Sequence, residues 1–405
     1  MASYRKLSIL LTWSLLFSTG TFFAQSIQHK TPATGINLSL WKNISTQPYD
    51  SISQTGLNIG IFSHLNKLNG LGVNIIGSTV EKNMNGVQIA GISNMSAGSL
   101  KGLQIAGITN ICGNNLTGIS ISGLIGITNG RTKGIVISGL SNIYGNSKGV
   151  ALGGLLNFGA QYASGIHFAG ISNIVGETFT GLSLTGMLNV TGKTTKGAQA
   201  SGLANITGED MVGVQIASIG NVTGGTLKGI QLGMANMATR AKGVQIGLFN
   251  YYKEQLDGIQ LGLVNANPHT RVQLMLFGGN TTKANIGVRF KNDLFYTILG
   301  GGSYYLDFSD KFSASAFYRA GLEIPLYKRM FISGDLGYQH IETFKNKNHG
   351  VPARLYALQT RINLEYRFNS SLSVFISGGY GGSRPYNHNY TYDKGAIVES
   401  GIVLF

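Results

Sequence analysis

Cysteine is almost absent from this sequence: of 405 residues only Cys112 carries a thiol, so no intrachain disulfide can form. Its place at a small apolar position of a repeated unit reads as a packed side chain rather than a nucleophile. Proline is scarce too, six in all, and charged residues make up only 12% of the chain. Little charge beside 43% hydrophobic residues excludes an acid-rich disordered chain. Acids are the rarer charge, 16 against 31 Lys and Arg, which leaves a formal charge of +15. That balance suits a neighbour of anionic lipid or lipopolysaccharide. It does not reach nucleic-acid binding, because no Lys/Arg cluster or recognition helix accompanies it. Beyond the N-terminus no run of about 18 uncharged apolar residues occurs, which excludes a membrane helix. Any membrane span must then be β.

Reactive constellations are missing in the same way. His29, His64, His167, His269, His340, His349 and His388 are scattered without the spacing of metal ligands. "GISISG" and "GGYGGSR" lack the strand-to-helix context that glycine-rich active loops require. With no convergent acids, bases or ligands, the expectation is a non-enzymatic protein without cofactor or metal.

What is abundant is glycine, 59 residues, which disfavours helix at about 1 kcal/mol per site relative to Ala. The first residues, "MASYRKLSILLTWSLLFSTGTFFAQS", pair Arg5 and Lys6 with an apolar stretch and then small residues. That is the pattern of a secretory signal peptide over residues 1–24, cleaved after Gly20 or Ala24. Further on the glycines fall into step. Gly86, Gly102, Gly118 and Gly134 are each 16 apart, followed by Gly149, Gly165, Gly181, Gly197, Gly213, Gly229, Gly243 and Gly258. Earlier copies start at Gly56 and Gly72, and a degenerate one at Gly35. A fixed period over so many units marks a repeat architecture.

Within a unit, apolar and polar residues alternate: Val87, Gln88, Ile89, then Leu103, Gln104, Ile105, and onward. Period-two alternation predicts a short half-buried strand. Stacking such strands predicts a β-solenoid of 14–16-residue coils, with Val, Ile and Leu as interior files and glycines at the corners. One Asn per coil (Asn94, Asn110, Asn142, Asn157, Asn173, Asn189, Asn205, Asn221) is expected at a corner, its amide bonded from coil to coil. A Gln file (Gln88, Gln104, Gln199, Gln215, Gln231, Gln245, Gln260) is expected to point outward, as a solvated face and the candidate contact surface.

Near Pro268 the period ends. Twelve of the 18 tyrosines follow position 290, on longer alternating segments such as "FSASAFYRAGLEIPL" and "LYALQTRINLEYRF". Lengths of about 10–14 residues suit tilted membrane strands. Eight are expected: 271–277, 284–290, 294–305, 312–326, 330–342, 354–368, 372–382 and 394–405. Tight turns alternate with long polar loops, and the chain ends on Phe405, as outer-membrane barrels do. The first two strands are short enough to be a last solenoid coil instead. The organisation expected is a signal peptide (1–24), a cap with the degenerate repeat (25–55), solenoid repeats (56–268) and an antiparallel barrel of about eight strands (269–405).

"GVQIAGISN", "GIQLGMANM", "GVQIGLFN" and "GIQLGLVNANPHTRVQLMLFG", followed by a Tyr-rich β tail, resemble a bacterial surface-repeat family known from Bacteroidota and spirochaetes. The likeness covers the repeats, a little over half the chain, and the tail, about another third. Most units here carry Ala-Gly where that family has a lone Gly. The resemblance implies an architecture and an outer-membrane address in a Gram-negative cell but no reaction. The function expected is structural or interactive: a solenoid held at the outer membrane, on its periplasmic side, facing glycan, peptidoglycan or an envelope protein. The competing readings are a porin or transport component, and one large barrel built from the repeats.

Overall fold

The computed structural model describes residues 35–47, 54–303, 306–307, 311–346, 353–386 and 393–405, which form strands joined by bends and turns, with no helix among them. The expected signal peptide and its cleavage lie outside the described residues. From Ile36 to Ala266 the chain winds as a parallel β-solenoid of about 13 turns. A typical turn has a seven-residue strand, Met84–Ala90, a corner at Gly91–Ile92, and a four-residue strand, Ser93–Ser96. Each strand pairs in parallel with its copy in the next turn: Val87 with Leu103, Gln88 with Gln104, Ile89 with Ile105, Asn94 with Asn110. The same residue types therefore meet from coil to coil, and one large barrel of repeats is excluded.

Glycine at the bend of the longer strand is obligatory. Gly102 has φ of 127°, and a methyl group on it would run into the backbone carbonyl of Gly86 directly beneath. Shorter repeats are absorbed at one place. Where the spacing drops to 15 or 14, the register shifts between Thr128 and Arg131, or between Thr223 and Thr226, and the files recover afterwards. The first strand, Ile36–Trp41, has the second coil on one edge and a short antiparallel segment, Ile44–Ser45, on the other.

Eight strands follow: β1 (Arg271–Gly279), β2 (Ala284–Asn292), β3 (Phe295–Ser303), β4 (Lys311–Tyr327), β5 (Met330–Asn346), β6 (Arg354–Arg367), β7 (Leu372–Pro385) and β8 (Asp393–Leu404). Each is antiparallel to its neighbours, and β8 returns to pair with β1, closing a barrel. The short β1 and β2 belong to this barrel, not to a final coil. At one end the hairpins are tight, with Asp293 and Lys328 in left-handed backbone, and the chain enters and leaves there.

Candidate functional site

The alternation predicted for each coil is present, but its faces are reversed. Every residue of the Gln file is buried: Gln88, Gln104, Gln215, Gln231 and Gln245 are 0% exposed, Gln199 1% and Gln260 7%. It is no contact surface. The apolar neighbours expected inside point outward instead, with Ile119, Ile135, Ile166, Ile216 and Ile230 all substantially exposed. The true apolar interior file lies two residues before the bend glycine, at Met84, Leu100, Leu116, Phe179, Met211 and Leu227.

A narrow coil can bury amides because stacked copies satisfy each other. Gln215 Nε2 donates to Gln199 Oε1 at 2.9 Å, Gln231 to Gln215 at 2.9 Å and Gln245 to Gln231 at 2.8 Å. Threonines of the facing strand complete the set: Gln215 donates to Thr207, and Thr223 donates to Gln215 Oε1. Asn94, Asn110, Asn142, Asn157, Asn173, Asn189, Asn205 and Asn221 are also buried, inside the shorter strand rather than at the corner itself. They do bond from coil to coil, as in Asn189 Nδ2 to Asn205 Oδ1 at 2.8 Å, and each also donates to a backbone carbonyl, Asn189 to Ala200. The file continues through Asn236, Asn250 and Asn265, which the shortened repeats hide in the sequence. Where Gly126 interrupts it, Ser138 donates to Asn142 instead. In the Gln slot His167 is fully enclosed, its Nδ1 bonded to the Tyr144 hydroxyl at 2.9 Å. Burial pulls its pKa down to about 4, so it sits there neutral.

With amides inside, the outside of two sides and their shared corner is apolar. The corner position alone supplies Ile92, Leu124, Ile171, Ile219 and Leu248, all exposed. A contiguous apolar surface of this kind is uncommon on a soluble monomer, whose largest patch is roughly 300–600 Å². Beside it, one residue before the bend glycine, runs an exposed row of Lys101, Lys133, Lys148, Lys196, Lys228 and Lys242.

The barrel has the same inverted polarity, achieved with charge. Inside it, Arg319 makes two bonds to Glu399, at 2.9 and 3.1 Å, and the Arg361 guanidinium lies 3.0 Å from the same carboxylate. Arg289 and Arg367 share Glu365, and Lys291 and Arg367 share Glu323. Asp335 accepts from Tyr296 at 3.0 Å and from Asn363 at 2.7 Å. Phe277, Phe317 and Phe375 pack edge to face in the same interior, with Arg319 over two of the rings. The lumen is thus filled by side chains, as expected for about eight strands. Outward, Leu336 (70% exposed), Ile362 (65%), Ile376 and Val398 form an apolar band. Aromatic residues flank it. Tyr338, Tyr356 and Tyr386 cluster toward the long loops, and Tyr327, Tyr366, Phe368 and Phe405 at the tight-turn end.

The solenoid ends against the outside of this wall. The Tyr318 hydroxyl, on the outward face of β4, donates to the Gly262 carbonyl of the last coil at 2.8 Å, and Asn292 donates to the Asn265 carbonyl. Thr297, outward-facing on β3, is 1% exposed. Among the described residues no three His, Cys, Asp or Glu are placed to hold a metal ion.

No protein-family model matches the chain, and neither does any curated protein sequence. Among solved structures the chain is similar to the crystallised N-terminal β-barrel domain of Pseudomonas aeruginosa OprF. Identity is 16%, over 33% of this chain and 95% of that one, with a TM-score of 0.24.

Proposed function

We propose that this chain is a non-enzymatic outer-membrane protein of a Gram-negative cell, with the barrel as anchor and the solenoid as a rigid structural arm. One observation carries the reading: the barrel buries salt-bridged Arg319, Arg361, Glu365 and Glu399 while exposing Leu336, Ile362, Ile376 and Val398. In water that arrangement forfeits the hydrophobic driving force, whereas in a bilayer it satisfies every backbone group and presents carbon to carbon. Short turns at the end where the chain enters the barrel support a periplasmic place for that end, and two aromatic bands agree with a membrane between them. The repeat resemblance to surface-repeat proteins agrees with this address.

The filled lumen disfavours a porin. A glycan or peptidoglycan partner would have to meet the exposed lysine row, since the Gln file is enclosed. Refolding the full chain into detergent or lipid tests the anchor. Folded barrel resists SDS without heating and migrates faster than the boiled form, and planar bilayers holding it stay silent. Soluble monomers without lipid, or stepwise conductance, would overturn the reading.

A further inference from the structure

The solenoid's exposed apolar surface has no cover within the described chain, and its continuity and charge point to one occupant. Taking the outer-membrane reading above as its basis, we propose that the solenoid lies along the phospholipid leaflet beside the barrel. Its Ile/Leu/Val face would enter the acyl–headgroup boundary, and its lysine row would meet the lipid phosphates.

Continuity comes first. The last coil does not hang from the barrel's rim: Asn292 holds it near the tight-turn end and Tyr318, in register with Tyr338, caps it from nine residues inside the end of β4, so it lies along the outward face of the wall between the two aromatic bands. That coil exposes Ile259 and Leu261, so the apolar face of the stack begins where the apolar band of the barrel runs. At about 4.8 Å per turn, about 13 turns carry this face some 60 Å away from the wall.

Charge is the second argument. A surface that lies in an interface combines apolar residues with Lys or Arg along its margin. Here Lys101, Lys133, Lys148, Lys196, Lys228 and Lys242 follow one margin, while the next corner of the coil mixes signs, with Glu177 paired to Lys193 at 3.6 Å. Each basic residue near an anionic membrane contributes about 1 kcal/mol. Lys101, Arg131 and Lys133 also line a shallow hollow with Asn115 and Asn146, open enough for a phosphate headgroup.

Trp41 provides the probe. It is exposed, lies in the first coil at the far end of the stack, and is the sole tryptophan once residues 1–24 are removed. Protein starting at Gln25 is folded into vesicles of phosphatidylglycerol and phosphatidylethanolamine with plain or brominated acyl chains. Barrel insertion is read separately by SDS-resistant gel migration. With the barrel inserted, Trp41 emission is expected to fall at least about two-fold in brominated lipid. Lys133→Glu with Lys148→Glu and Lys228→Glu should weaken that quenching. Equal emission in both vesicles, with the barrel inserted, overturns the proposal whether the arm stands off in water or pairs with a second copy. Chemical cross-linking separates those two alternatives. If the barrel fails to insert, the gel shows it and the outer-membrane reading falls as well.

Discussion

Solenoid and barrel solve one problem in two ways. Both hold polar groups inside and show carbon outside, yet the solenoid uses neutral amides and the barrel uses ions. Pairing geometry explains the choice. In a parallel in-register stack each side chain meets its own copy, so the buried group must be donor and acceptor at once. An amide is both; a carboxylate over a carboxylate would repel. In the antiparallel barrel, unlike residues from distant strands converge, and Arg319 can find Glu399 eighty positions away. Lysine enters the repeats only on the outside, where solvent screens its copies.

The sharpest way to break this contrast is to remove one ion. Glu399→Leu leaves Arg319 buried without its carboxylate and Arg361 with only Asp335, 3.7 Å away, and should cost about 3–5 kcal/mol in urea unfolding of the lipid-reconstituted protein. Replacing Arg319, Arg361 and Glu399 together with apolar residues should recover most of that loss. A single-site effect below 1 kcal/mol would mean the network is not what holds the barrel interior.

Gln215→Leu tests the solenoid's half. It removes the stacking bonds that Gln215 makes with Gln199 and Gln231, which keep their threonine partners, and takes a partner from Thr207 and Thr223; it should cost about 2–3 kcal/mol, while the adjacent Ile216→Ser, facing outward, should change stability by less than about 1 kcal/mol. The opposite ranking would restore the apolar-inside arrangement that the sequence suggested.

Acid distinguishes the regions further. His167 titrates at about 4 when folded and near 6.5 when unfolded, so below pH 6.5 the unfolded chain binds more protons. Its contribution is complete above that pH and is lost as pH falls toward 4, about 2 kcal/mol by pH 5. His167→Gln, restoring the file's usual residue, should flatten solenoid stability across that window, as read by pH-dependent urea midpoints. A slope left unchanged would assign the acid sensitivity elsewhere. The smallest effect is expected at Lys228→Gln in detergent without anionic lipid, within about 0.5 kcal/mol of the parent, because that exposed lysine is then solvated.

The period, the parallel stacking and the eight barrel strands are legible in the residues, because glycine spacing and alternation report backbone geometry directly. The direction of each face is not. Alternation states that neighbours point oppositely, and the usual rule of carbon inward then assigned Val87 and Ile89 to the core. A countersign exists in the sequence. Apolar residues recur at Val87, Ile89, Ile92 and Met95 of one coil, more carbon than so narrow a section can enclose. Besides amides the Gln slot mostly admits small groups such as Ser120, Ala151 and Ser183, with Val136 and His167 the larger occupants, as a confined interior would. The barrel's ions were hidden for another reason. Arg289, Arg319, Asp335 and Glu399 lie far apart along the chain, and only strand order brings them together.

The short antiparallel segment Ile44–Ser45, laid along the outer edge of the first coil, has a meaning beyond local pairing. A parallel stack of near-identical rungs is a template, since its last open edge offers the next chain the same bonds that joined its own coils. Here one edge is met by a strand running the wrong way and the other by Tyr318 and Asn292 of the barrel wall. The arm therefore has a beginning and an end. Growth from molecule to molecule, the hazard of every such ladder, meets at both terminals residues that break the repeat.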